Sequence, residues 1–206
     1  AITLKNVLTR ASLIPQLQNN PLVFYTYTTQ EGDTPESVAY KYYGDQYRYW
    51  IVLYGNGSLD PQFDWPLSST QFSKYIVNKY MSVATNGQYT PTASNTANSY
   101  IFSQVMSYTQ NTIHHYDKII ATTDTTTGTQ SIKTIEISSD VANSTITGTT
   151  TVTFSDTSKA TQTITVNPVS IYNYENTLNE NKRNVKLINR NYVGAMESQF
   201  QSLMSK

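Results

Sequence analysis

Residues 25–56 read YTYTTQEGDTPESVAYKYYGDQYRYWIVLYGN, and this stretch decides the fold. Tyr25 and Tyr27 alternate with Thr26 and Thr28, the period-two pattern of a half-buried strand. Gly32 supplies turn freedom, and Thr34 stands ready to N-cap a helix that has Pro35 at its first position. Val38, Ala39 and Tyr42 share a helical face, and Gly44 sits where a left-handed C-terminal cap belongs. Asp45 can cap a second helix, on which Tyr47, Trp50, Ile51 and Tyr54 follow i, i+3, i+4, i+7 spacing until Gly55 ends it. A strand followed by two short amphipathic helices makes a small self-contained core.

The positions Tyr27, Gly32, Asp33, Thr34, Val38, Ala39, Tyr42 or Tyr43 and Gly44, continuing to Trp50 and Asn56, resemble the LysM module, a strand–helix–helix–strand unit. Beyond Asn56 the chain departs from a LysM second strand with NGSLDPQFDW (56–65) and then SSTQFSKYIVNKY (68–80). That continuation resembles the baseplate wedge proteins of contractile-tailed, T-even type bacteriophages, in which a LysM-like domain serves as an assembly part. The C-terminal pattern resembles the end of the same family: Tyr174-Glu175, Asn179-Glu180 and Lys182-Arg183, a Val185-Lys186-Leu187-Ile188 run, and a final amphipathic helix.

Lys+Arg and Asp+Glu both number 14 in 206 residues, so the chain is neutral and lacks the basic footprint of a nucleic-acid binder. Only 14% of residues are charged while Tyr numbers 17, a balance that suits a surface covered by partners or, alternatively, a Thr/Asn/Tyr-rich extracellular β protein. With Cys at 0, disulfides and thiolate metal sites are excluded. No apolar run approaches the roughly 20 residues that span a bilayer. The first residues, AITLKNVLTRASLIPQL, hold no apolar core long enough for a signal peptide.

The chain divides by composition into an N-terminal arm (1–22), the LysM-like unit with its appended helix (23–80), a linker with short elements (81–116), a β-rich insertion (117–168) and a C-terminal amphipathic helical arm (169–206). In the appended helix Phe72, Tyr75, Ile76 and Tyr80 form the apolar face, with Ser68 or Ser69 as cap. Ser99 to Tyr108 is a short element of open type. The Thr/Ile/Val-rich runs from Asp117 to Asn167 read as about four antiparallel strands in a meander, with Asp140, Asp156 and Lys159 guarding turns. Tyr174 and Leu178 lead a helix, and Tyr192, Met196, Phe200 and Leu203 recur at helical spacing to the end. The expected fold class is α+β: a LysM-like strand–helix–helix core, a Thr-rich antiparallel β insertion, and N- and C-terminal arms.

Chemistry is sparse. His114-His115 with Asp117 is the one cluster suggestive of metal or acid–base work; neighbouring histidines are expected to point different ways, and no zinc-type spacing follows, so no metal ligand is assigned. Glu31, Asp33 and Glu36 have simple roles as turn and helix-start charges. No nucleophile elbow, phosphate-binding loop, dinucleotide fingerprint or H-E-x-x-H occurs, so the chain reads as non-enzymatic and without a cofactor. Tyr40, Tyr42, Tyr43, Tyr47, Tyr49 and Tyr54 exceed what one helical face can bury, and outward rings suit either sugars or protein interfaces.

The wedge resemblance implies a structural virion protein of the contractile tail baseplate, assembled in the host cytoplasm. It would join wedge subunits and neighbouring wedges around the hub in a six-fold assembly, with no nucleic acid, membrane or small-molecule ligand. Tyr49, Tyr192, Met196, Phe200 and Leu203 are the expected interface residues, and truncation before Ser170 is expected to leave a folded core that fails to assemble. The LysM resemblance implies the alternative of a peptidoglycan- or chitin-binding module, with its groove at Gly32, Asp33, Thr34, Gly55, Asn56 and Gly57. A secreted β-adhesin is a third, weaker reading.

Overall fold

The computed structural model describes residues 20–58, 60 and 64–204, without the side chains of the last two residues of that range. Residues 1–19 of the N-terminal arm lie outside it. The architecture is mixed helix and antiparallel sheet, as the α+β expectation required. In order come β1 (Phe24–Thr28), α1 (Pro35–Tyr43), a single 3-10 turn (Gln46–Arg48), α2 (Tyr49–Gly55), α3 (Ser69–Ala84), α4 (Ala93–Thr96) and α5 (Ser99–Asn111). They are followed by β2 (Ile113–Asp124), β3 (Gln130–Ile137), α6 (Ser139–Ser144), β4 (Gly148–Thr153), β5 (Lys159–Ser170), α7 (Ile171–Asn181), β6 (Asn184–Ile188) and α8 (Arg190–Met204). The chain forms two compact units, one of residues 1–72 and 178–206, the other of residues 73–177.

Local chemistry sets the first unit. Thr34 and Ser37 form a reciprocal capping box, Pro35 opens α1, and Gly44 closes it at φ 75° in the left-handed region. Asp45 accepts a hydrogen bond from the Tyr47 amide, so it caps the 3-10 turn that leads into α2. The second strand of the unit is β6, which pairs antiparallel with β1 from Phe24↔Ile188 to Thr28↔Asn184. The ladder continues past both ends through Thr29 N to Arg183 O and Asn189 N to Val23 O. The first unit is thus strand–helix–helix–strand, its last strand supplied from far downstream. A truncation before Ser170 would remove that strand, so it cannot leave this core folded.

Val38, Ala39, Val52, Trp65, Val185 and Leu187 make one buried cluster, and Ile51, Ile188 and Val193 make another. The buried side of α2 is Ile51, Val52 and Gly55; Tyr47, expected on that face, is exposed because the 3-10 turn rotates it out of phase. Gly55 is the last residue of α2, as expected, and lies against β6, where a Cβ would meet Ile188 Cγ1 and Lys186 O at 3.4 Å.

In the second unit the buried side chains recur at helical spacing: Ile76, Val77 and Met81 on α3, and Ile101, Val105 and Thr109 on α5. Ser68 and Gln71 hydrogen-bond reciprocally at the start of α3, which identifies its cap. The four strands are ordered β3-β2-β5-β4, so the insertion is not a meander. Two hairpins lie side by side, with β2 and β5 paired at the centre and β3 and β4 at the edges. β3 is exposed at every residue but Ile137 and β4 along its whole length. Ile132, Ile135 and Val152 accordingly stand in solvent.

Candidate functional site

The turn residues singled out in the sequence are spent on structure. The Asp33 carboxylate accepts hydrogen bonds from Tyr27 Oη at 2.8 Å, from the Gln30 amide at 2.9 Å and from Lys41. Burial pushes this carboxyl up, and the bonds from Lys41, Gln30 and Tyr27 outweigh that and hold it below the ordinary carboxylate range. The indole of Trp65 donates to the Asp33 carbonyl, which fastens the segment after Asn56 to the same turn. Asn56 Nδ2 donates to the carbonyls of Val52 and Lys186, and Asn56 Oδ1 accepts from the Lys186 amide at 2.7 Å. Asn56 therefore behaves as a further strand residue beside β6. Gly32 and Gly57 take positive φ in their turns, and Thr34 is committed to its cap.

Among the expected interface residues, Tyr49 and Tyr192 are exposed. Met196 packs on the cluster of Ile51, Ile188 and Val193, and Phe200 lies 5.1 Å from Trp50, ring centroid to centroid. The Leu203 side chain lies outside the described residues. Arg48 Nε to Glu197 at 2.9 Å ties α8 to the turn before α2. One face of the last helix is thus seated on its own unit, and Tyr192 marks another. Tyr25, Tyr40 and Tyr47 add exposed rings to the first unit. Trp50, Glu197, Phe200 and Gln201 line an open groove there.

A charged cluster that sequence reasoning passed over lies in the second unit. The side chain of Glu175 is 4% exposed and receives hydrogen bonds from Lys79 Nζ at 2.7 Å, Tyr75 Oη at 3.1 Å and Tyr80 Oη. Burial raises the Glu175 carboxyl, and the bonds from Lys79 and Tyr80 overcome it, leaving the group below its ordinary value. Tyr80 is pushed up to about 12, first by burial and then by its bond to Glu175. The only sequence signal was Tyr75 and Lys79 at i, i+4, with nothing to name a partner almost a hundred residues on. On α7 Leu178 is exposed, while Ile171, Glu175 and Asn179 form the buried edge of that helix.

The histidines do not point apart. In the β2–β5 ladder Ile113 faces Ser170 and His115 faces Val169, so His114 is an extra, bulged residue. The bulge brings His114 Nδ1 and His115 Nδ1 to 2.8 Å, with His115 Nε2 at 3.3 Å from Asp117 Oδ1. The His114 ring stacks on Tyr174, centroids 3.9 Å apart and planes 9° from parallel. One ligand atom from each of His114, His115 and Glu136 lies within 4.8 Å of the others. This is the one group of three or more such side chains, among the described residues, that could hold a metal ion.

Among the described residues no helix is long and apolar enough to cross a membrane. Neither a curated protein nor a solved structure matches the chain. A scan against protein families matches residues 18–142, more than half of its length, to the family described as base plate wedge protein 53.

Proposed function

The chain belongs to the base plate wedge protein 53 family, a structural family of the phage baseplate and hence of the virion tail, and from that premise we propose that it joins wedge subunits, and neighbouring wedges, around the hub of a contractile tail. Its partners are other wedge and hub-proximal proteins in a six-fold assembly, with neither nucleic acid nor membrane, and it carries out no catalysis. The observation that carries this reading, beside the family, is the exposed aromatic set of the first unit, Tyr25, Tyr40, Tyr47, Tyr49 and Tyr192. Rings of this kind bury large area at little entropic cost when a partner arrives. The exposed edge strands β3 and β4 offer a second contact surface on the other unit.

Glycan binding at Asp33 and Asn56 is disfavoured by the same geometry. A sugar needs free donors and acceptors, and those of Asp33 and Asn56 already serve Tyr27, Gln30, Lys41, Val52 and Lys186.

The test is co-purification from phage-producing cells of chains carrying Tyr49→Ser and Tyr192→Ser together. Both side chains are exposed, so circular dichroism should be unchanged, while the fixed set of large structural proteins that accompanies the native chain should be lost. Wild-type recovery of those proteins with the double variant would remove these two tyrosines from the interface. A native chain that travels alone, or with wall fragments, would refute the assembly role.

A further inference from the structure

We propose that His114, His115 and Glu136 form a binding site for one divalent late transition-metal ion of the Cu(II) or Ni(II) kind. The β-bulge at His114 overrides strand alternation and sets both Nδ1 atoms on one side, 2.8 Å apart. An ion held at about 2.05 Å from both nitrogens would subtend an angle of about 86° at that separation. Such an angle fits the right-angle positions of a square-planar or tetragonal ion, and it is far from the tetrahedral angle that zinc favours. Two imidazoles with one carboxylate are a donor set that these ions take readily.

The surroundings already orient the donors. His115 Nε2 faces Asp117 Oδ1 at 3.3 Å, and the tautomer with its proton on that nitrogen leaves the Nδ1 lone pair for the site. In that tautomer His114 Nδ1 is the donor of the 2.8 Å bond between the rings, through the proton it carries. An arriving ion takes the place of that proton, which passes through water to Nε2 of His114, so both rings stay neutral. Stacking on Tyr174 fixes the His114 plane. Glu136 stands on β3, where it pairs with Asp117 of β2, and supplies the third ligand from the neighbouring strand. The bound ion would pin the open end of the β2–β3 hairpin, where the start of β2, the end of β3 and Tyr174 of α7 come together.

The experiment is calorimetric titration of CuCl2, NiCl2 and ZnCl2 into the untagged, chelator-treated full chain, with electron paramagnetic resonance of the copper form. One ion per chain, a two-nitrogen hyperfine pattern, and Ni(II) bound at least as tightly as Zn(II) are expected. His115→Gln should weaken Cu(II) binding at least tenfold and abolish the two-nitrogen pattern. Glu136→Gln should weaken it by a similar factor and keep that pattern. Asp117→Asn, which touches only the orienting contact, should cost roughly 10- to 100-fold. Copper that still binds the His115→Gln variant at wild-type strength, Zn(II) preferred over Ni(II), or indifference to Glu136→Gln would each overturn the assignment. Should a variant fail to fold, the wild-type resonance pattern decides alone, since copper without two-nitrogen coupling there overturns the site as well.

Discussion

Glu175→Gln is the substitution whose outcome the geometry fixes most tightly. The change keeps the shape of a side chain that is 4% exposed and removes its charge from three donors, Lys79, Tyr75 and Tyr80. Hydrogen bonds to a charged group contribute about 1.5–3 kcal/mol each and neutral ones about 0.5–1.5, so the gross loss is roughly 3 kcal/mol. Lys79 is 44% exposed and recovers part of its share from water. The expected net destabilisation is about 2 kcal/mol, which is about a 30-fold loss of protection. Amide hydrogen exchange in residues 76–81 of α3 reads it directly. The sign of the pH effect is also fixed. The folded-state carboxyl is held below its ordinary value, so its contribution is full above about pH 4.3 and fades as pH falls through the lowered value. Acidification below pH 4 should therefore narrow the gap between wild type and variant. A difference under about 0.5 kcal/mol at pH 7, or the same gap at both pH values, would refute the assignment of Glu175 as a buried anion held by its donors.

Two further outcomes follow from the first unit. Asn56→Ala removes the bridge from α2 to β6 and should cost about 1–2 kcal/mol, since water replaces part of what is lost; urea unfolding followed by tryptophan fluorescence measures it, and no shift in midpoint would contradict the bridging role. Deletion of residues 183–206 removes Val185, Leu187, Ile188 and Val193, whose burial is worth about 1.5–3 kcal/mol each against a usual total of 5–15. The fluorescence of Trp50 and Trp65 should then be that of unfolded chain, and a native spectrum would refute the pairing of β1 with β6.

What the sequence made legible was the chemistry that acts within a few residues. Thr34, Pro35 and Gly44 state their caps by identity and spacing and each does the job read from it, while Asp45, read as the cap of the second helix, caps the 3-10 turn before it. Contacts made across long separations left little trace. Val185 to Ile188 looked extended, yet nothing in those four residues said that their partner was Phe24 to Thr28. The strands of the insertion were recognisable from Thr, Ile and Val, while their order was not, because similar strands offer similar edges. Tyr47 was placed on the helical face of Trp50 and Ile51 by a period that the 3-10 turn overrides. The bulge at His114 depends on how β2 registers against β5, which no run of β2 residues announces. Asp33 and Asn56 stand out in the sequence, but their hydrogen-bond partners in the fold, among them Tyr27 and Lys41 for Asp33 and Lys186 for Asn56, could not be read from it.

The pairing of β1 with β6 also dictates when this protein becomes itself. A ribosome delivers the chain from its first residue onward, and domains generally fold as they emerge. Strand β1, α1 and α2 come out early and must wait, with Val38, Ile51 and Val52 uncovered, until Val185 to Ile188 arrive. Residues 73–177 are complete before that moment. The exposed tyrosines of the first unit therefore stand on a folded core only in chains whose synthesis has passed Ile188, so a prematurely terminated copy offers them on an open, unpaired strand instead.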